Sequence, residues 1–471
     1  LGEHYEQYLR NNRSRHLEEL KQYLSIPSIS ALSGHKQNMV QAAEWTAEAL
    51  RRIGIEHVQV MPTGGHPVVY GEWLKAEGKP TALIYGHYDV QPVDPLHLWD
   101  TPPFEPVILE DKIYARGASD NKGQIFMHIK ALEALLAEDG TLPVNVKLCI
   151  EGEEEIGSVH LDEFVEVNKE HLAADVLVIS DSVMYAKGKP AICYGLRGLC
   201  GMQINVKGPS GDLHSGLYGG AVQNPVHALV QILSSMRNEQ GEITIGGFYD
   251  QVRYVPEEER ERFRSLQFNE EQMSQELQVA ELFGERGYSA LERTWVRPTL
   301  EINGIYGGFQ GEGVKTVLPS EAHAKLTCRL VPDQSPNEII ERIQRHIDRH
   351  TPPGVSVTTT LFDTGKPFVT PVDHPVIQAA GRAYREAYGV EAVYIRSGGS
   401  IPVVATFAAV LNVPVVMMGF GLSDENIHAP NEHFHLENFD KGLLTLCRYW
   451  YELAGIRSND AIRNGDNNCS S

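Results

Sequence analysis

The sequence has no uninterrupted apolar run approaching the ~20 residues that a membrane-spanning helix requires. Its first 24 residues are charged and amphipathic and lack the apolar core of a signal peptide. It has no CxxC pair: the six cysteines, Cys149, Cys193, Cys200, Cys328, Cys447 and Cys469, are scattered, several of them in apolar strand-like runs. That distribution points to buried free thiols in a reducing compartment, and so to a cytoplasmic location. Positive charge is scarce as well. Against 62 acidic residues stand 41 Lys and Arg, giving a formal net charge of −21. A field of that sign repels phosphate backbones and argues against a nucleic-acid partner. Internal repeats are absent, and the one low-complexity stretch is the polar tail "NGDNNCSS".

What is present is a chain of 471 residues, 42% hydrophobic and 22% charged. That length exceeds what one hydrophobic core usually supports, so two domains are expected. Up to about residue 197, helical apolar spacing ("NMVQAAEWTAEALRRIG", "DNKGQIFMHIKALEALLAEDG") alternates with short apolar strands ("TALIYGHYDV", "VNVKLCIEG", "ADVLVISDS"). This is the pattern of an α/β domain, a mixed sheet covered by helices on both faces. From residue 198 to 371 the pattern becomes strand–helix–strand–strand–helix–strand, with a charged, poorly patterned insertion at 240–298, as in a smaller α+β domain. From 372 to 471 the α/β style returns. The expected organisation is one α/β domain, 1–197 and 372–471, interrupted by an α+β domain at 198–371.

The chemistry lies where strands end. "TALIYG" runs into His87 and Asp89, "VKLCI" into Glu151, Glu153, Glu154 and Glu155, and "VLVIS" into Asp181. "PVVMMGFG" is followed at short range by Asp424, Glu425 and His428, and Asp120 opens a helix. Acids at a single strand end are ordinary loop residues. Four strand ends carrying acids, with histidines among them, point instead to a shared metal site, because ligands of open α/β sheets gather at the carboxyl ends of strands. Mixed imidazole and carboxylate ligation suits zinc, manganese or cobalt better than calcium or magnesium. The surplus of carboxylates suggests two ions ~3.5–4 Å apart. A carboxylate left outside the ligand set would serve as general base. Spacing alone does not say which glutamate of "EGEEE" is base and which is ligand.

At these residues the sequence resembles the dinuclear-metal peptidase clan of carnosinase, aminoacylase and acetylornithine deacetylase, most nearly its cytosolic nonspecific dipeptidase and carnosinase branch. The resemblance rests on "GHYDVQP" at 86–92, "ARGASDNKGQ" at 115–124, "EGEEEIGS" at 151–158, "ISDS" at 179–182, "YGLRG" at 194–198, "DLHSGLYGG" at 212–220, "CRLVPDQ" at 328–334 and "GGSIP" at 398–402, in order along nearly the whole chain. It implies two zinc or manganese ions per subunit, with Asp120 bridging them, His87 and Asp181 completing one site, and Glu155 and His428 the other. Glu154 would be the general base and Asp89 would orient His87. His214 would polarise the scissile carbonyl across the interface of a homodimer, whose surface the smaller domain provides while also acting as a lid. Arg329, Ser400 and Thr316 would hold a substrate carboxylate.

The implied activity is hydrolysis of dipeptides or very short peptides bearing a free C-terminal carboxylate, by a hydroxide bridging the metals. An N-acyl amino acid deacylase of the acetylornithine or succinyl-diaminopimelate type is the alternative. A noncatalytic binding protein on the same fold would lack a ligand or the base, and neither is missing. Two points stay open. His433 and His435 in "NEHFH" compete with His428 for the ligand role, and Glu153 either raises the pKa of the base or points to solvent.

Overall fold

The apolar runs that end in acids and histidines form the parallel centre of one nine-stranded sheet. Across it lie Glu56–Met61, Val68–Trp73, Asn145–Glu151, Thr81–His87, Val176–Ile179, Val415–Met418, Ala191–Leu196 and Phe368–Val369, with Val393–Ser397 also paired to Ala191–Leu196. The four strands from Asn145–Glu151 to Val415–Met418 are mutually parallel, and the strands flanking them are antiparallel. Leu83, Ile84, Leu148, Ile150, Val178 and Val416 are fully buried. Strands covered on both faces read as continuous apolar runs rather than alternating ones, and each such side chain contributes ~1.5–3 kcal/mol by leaving water.

This computed structural model describes residues 3–362, 364–399 and 401–456, so Ser400 and Cys469 lie outside the described residues. Helix Lys122–Asp139 is buried from Lys122 to Leu135, a wider buried surface than its apolar spacing suggests. It packs against the last described helix, Leu436–Ala454. The two approach closely at Gly442, where an added Cβ would lie 2.8 Å from the Met127 sulfur. Among the described residues, no helix is long and apolar enough to cross a membrane. Cys149, Cys193, Cys200, Cys328 and Cys447 are buried.

The described chain divides into two compact units. The first holds the chain up to Tyr194, Thr370–Ile395 and the residues from Thr406 onward; the second holds Gly195–Val369 and Arg396–Ala405. Arg396–Ala405 was expected with the α/β domain. Its place in the second unit is set by long-range contacts that no local pattern announces: Arg197 Nε donates to the Gly398 carbonyl at 3.0 Å, and Arg396 pairs with Glu259 at 2.6 Å.

The second unit is built on an antiparallel sheet in the order Thr299–Gly307, Glu321–Leu330, Gly198–Lys207, Ser356–Leu361. Strand Glu321–Leu330 alternates: Ala322, Ala324, Leu326, Cys328 and Leu330 are buried, and the residues between them are half-buried or exposed. A sheet covered on one face produces this pattern. The buried side chains share a core with helices Pro225–Ser234 and Pro336–His350. The insertion at 240–298 folds into three short helices, Glu257–Ser265, Glu270–Glu276 and Ala290–Trp295, the last opened by a capping box between Ser289 and Glu292.

Candidate metal centre

Strand register brings the chemistry together. Tyr85 pairs with both Cys149 and Ile179, and His87 pairs with Glu151. His87, the acids after Glu151, and Asp181 therefore leave the same edge of the first unit's sheet. Asp120 joins them from the turn before helix Lys122–Asp139, and His428 from the loop after Val415–Met418. His87 Nε2 lies 3.2 Å from Asp120, 3.6 Å from Asp181 and 3.9 Å from Glu154. His428 Nε2 lies 2.7 Å from Asp120 and 3.2 Å from Glu155. Two metal-competent groups result, His87–Asp120–Asp181 and Asp120–Glu155–His428, and they share Asp120.

The residues fit a pair of divalent ions. Donors around one zinc-sized ion lie ~3.3 Å apart, close to the spacings found here. His87 Nε2 is buried and makes no hydrogen bond, which leaves a bare donor aimed into the cluster. Electrostatics also favour a cation. Burial raises the Glu154 carboxyl well above its usual range; His87 opposes this, and Asp181, Asp120 and Glu155 add to it. Burial raises Glu155 too. Hydrogen bonds to Asp120 and Glu155 push His428 up to about 10. Burial disfavours the charged form of His87, but Asp120, Asp181 and Asp89 outweigh it and raise the imidazole well above its ordinary value. Both imidazoles are thus pressed to carry positive charge where the carboxylates converge.

The acids of "EGEEE" separate into two pairs. Glu151 accepts hydrogen bonds from the Tyr85 hydroxyl at 2.5 Å and the Ser158 hydroxyl at 2.8 Å. Glu153 accepts from the His66 amide at 3.0 Å and pairs with His160 at 2.8 Å. Glu153 is buried and so does not point to solvent. Only Glu154 and Glu155, on the short 3-10 turn Glu154–Ile156, reach the cluster. Asp89 stands beside His87, but its backbone carbonyl takes the hydrogen bond from Nδ1, at 3.1 Å. Its Oδ1 lies 3.3 Å from the same nitrogen and its Oδ2 accepts from the Glu155 amide at 3.1 Å.

Backbone geometry separates the three histidines. Asn426, His428 and Asn431 all adopt left-handed φ, turning the loop so that His428 meets Asp120 and Glu155. His433 and His435 lie beyond the turn on a short strand paired with Lys112–Tyr114, outside both groups.

Several supporting residues were missed in the sequence. Asn121 accepts from the His87 amide at 3.3 Å and donates to Asp181 at 3.0 Å. Gln91 donates to Glu155 at 2.8 Å. Glu432 is buried and accepts four hydrogen bonds: Arg116 at 2.7 Å and the Gly117 amide at 2.9 Å on one oxygen, the Ser119 amide at 3.0 Å and the Asp120 amide at 3.1 Å on the other. Burial raises this carboxyl above its ordinary value, and the Arg116 charge opposes the rise without cancelling it. One carboxylate thus fixes the turn that presents Asp120. Arg116 and Asn121 lie inside the quoted "ARGASDNKGQ"; nothing near Glu432 in sequence signals its role.

His214, Thr316 and Arg329 lie in the second unit. His214 is exposed, and its Nδ1 accepts from the Gly216 amide at 3.0 Å. Thr316 lies beside it, its carbonyl accepting from the Ser215 amide at 3.1 Å. Arg329 is half-buried on strand Glu321–Leu330, and its charge helps depress the buried Arg197, after burial itself.

Residues 83–452 match the model of peptidase family M20/M25/M40. The chain is 32% identical over 453 residues to the Cys-Gly metallodipeptidase dug1 of Schizosaccharomyces pombe, covering 93% of this chain and 95% of that one. It is 32% identical over 469 residues to the human Beta-Ala-His dipeptidase, covering 96% and 92%. Among solved structures, the M20 family metallo-carboxypeptidase Sso-CP2 of Sulfolobus solfataricus superposes with a TM-score of 0.81 at 35% identity, covering 93% of this chain and 99% of that one.

Proposed function

Because the chain belongs to the M20/M25/M40 peptidase family, we propose that it is a dinuclear metallodipeptidase cleaving dipeptides or very short peptides with a free C-terminal carboxylate. The observation that carries this reading is the pair of donor groups joined through Asp120, with the Glu154 carboxylate beside them and outside both. His87, Asp120 and Asp181 would hold one zinc or manganese ion, and Asp120, Glu155 and His428 the other. When bound, the ions would polarise the scissile carbonyl and acidify a water.

The chain's own residues do the rest. Glu154 takes the proton of the attacking water and delivers it to the leaving amine; burial, which keeps its carboxyl pKa high, suits both halves of that transfer. Asp89 and Asn121 hold His87 and Asp181 in place. The Gly216 amide occupies His214 Nδ1, so the neutral ring carries its proton on Nε2 and offers a donor for the developing oxyanion. In this reading the enzyme is a homodimer in which His214 serves the partner subunit's centre. Arg329, Thr316 and Ser400 bind the substrate carboxylate, for which a guanidinium fork is well shaped. Buried thiols support a cytoplasmic setting.

The test is hydrolysis of Cys-Gly, β-Ala-His and other dipeptides by metal-stripped protein, with zinc or manganese restored, beside N-acyl amino acids. Metal-dependent cleavage of dipeptides supports the proposal. Intact dipeptides with cleaved N-acyl amino acids move it to deacylation. A variant that blocks dimerisation but keeps full activity rules out the role of His214.

A further inference from the structure

We propose a third divalent transition-metal site, formed by Asp424, His433 and His435 and separate from the dinuclear centre. One donor atom from each residue lies within 4.8 Å of the others. The two histidines are i and i+2 on strand His433–His435, which puts both rings on one face of its small sheet. Both Asp424 carboxylate oxygens lie 3.3 Å from His435 Nε2, the ~3.3 Å separation of two donors on a tetrahedral zinc. His433 Nδ1 donates to the Asn431 carbonyl at 3.0 Å. Its proton is thereby held on Nδ1 and its Nε2 is left as the accepting, ligand-competent nitrogen, the arrangement that orients histidine ligands generally. Tyr114, paired with His433 across the strands, packs its ring 4.9 Å from the imidazole and fixes the plane.

Lys112 marks the position where a cation is already preferred. It pairs with His435 across the strands, and its Nζ lies 3.2 Å from His433 Nε2 and 3.8 Å from Asp424. An ammonium seated between an imidazole lone pair and a carboxylate stands in for a metal. Its flexible, partly exposed stem lets it swing out when an ion with stronger nitrogen affinity arrives. Two imidazoles and one carboxylate select zinc, cobalt, nickel or copper over magnesium and calcium. The site would also act on the loop it closes. Asp424 precedes and His433 follows the turn that carries His428, so an ion there ties the two ends of that turn together.

The test isolates the site from the dinuclear centre with Asp120→Ala, which removes the donor common to both family sites. Cobalt titration of this full-length variant, read by visible absorption, should show one bound equivalent that magnesium and calcium do not displace. Adding Asp424→Ala, an exposed position, should weaken that equivalent at least ~tenfold, and His435→Asn likewise. Lys112→Met should tighten it, a change that adventitious surface binding would not show. The proposal is overturned if Asp120→Ala binds no cobalt, or if its cobalt is indifferent to Asp424→Ala, His435→Asn and Lys112→Met.

Discussion

Replacing Glu432 by Gln asks how firmly the Asp120 turn is held. The carboxylate receives two donors on each oxygen, one from Arg116 and three from backbone amides. A glutamine keeps one accepting oxygen; its NH2 then faces two donors that no longer have an acceptor. Each buried unmatched donor costs ~1–3 kcal/mol, and Arg116, itself buried, also loses its countercharge. Breaking one side of a buried ion pair costs ~3–5 kcal/mol, and since the two accounts overlap we expect a total of that size. Denaturant unfolding of the metal-free protein measures it. Isothermal titration with zinc measures the second consequence, an affinity loss of ~10–100-fold from a displaced Asp120. The Arg116→Met, Glu432→Met double variant sharpens the test. Apolar replacement of an ordinary buried ion pair often restores stability, but here three of the four donors belong to the main chain and remain. Wild-type stability and zinc affinity in Glu432→Gln, or full recovery in the double variant, would refute this account.

Glu154→Gln should retain both metals by elemental analysis while kcat falls ~10²–10⁴-fold, the usual contribution of a positioned general base. Chelator-stripped wild type should lose dipeptide hydrolysis and regain it with zinc or manganese, as followed by release of free amino acid. His128 is fully buried, and burial lowers its pKa from 6.5 to about 3. It stays neutral in the fold while the unfolded chain takes up a proton, so its contribution to stability is present above pH 6.5 and is lost as pH falls toward 3. The slope is ~1.4 kcal/mol per pH unit, ~4–5 kcal/mol in all; a His128→Asn variant with an unchanged stability slope between pH 6 and 4 would contradict it. In Gly398→Ala the new Cβ would meet the Thr294 carbonyl at 2.7 Å and Arg197 at 2.9 Å. Steady-state kinetics should show the resulting shift of "GGSIP" as a raised KM, with kcat less affected.

The parts of the centre that could be read in the sequence are those fixed by strand ends. His87, Glu154, Glu155 and Asp181 each follow an apolar run closely, and parallel pairing then aligns those runs without further information. Glu432 gave no such signal, because its meaning lies in contacts more than 300 residues away in the chain. The roles within "EGEEE" were hidden for a partly related reason: Tyr85 and His66 claim two of the four acids from distant parts of the chain, joined by the nearby Ser158 and His160. That His428, rather than His433 or His435, meets Asp120 and Glu155 depends on left-handed φ values at Asn426, His428 and Asn431, which the residue types permit but do not require. Long-range packing of the same kind groups Arg396–Ala405 with the second unit, where local pattern alone assigns it to the α/β domain.

Asp89 touches both halves of the centre, with its carbonyl on His87 and its carboxylate on the Glu155 amide, while Asp120 reaches His87 and His428 at once. The two candidate metal positions are therefore joined through shared residues. An ion settling against His87 would draw Asp120 and Asp89 into register and leave the second position already shaped for its own. Filling should be steeper than that of two independent sites, and a preparation given half its complement should hold a mixture of empty and doubly loaded molecules rather than a uniform population carrying one ion each.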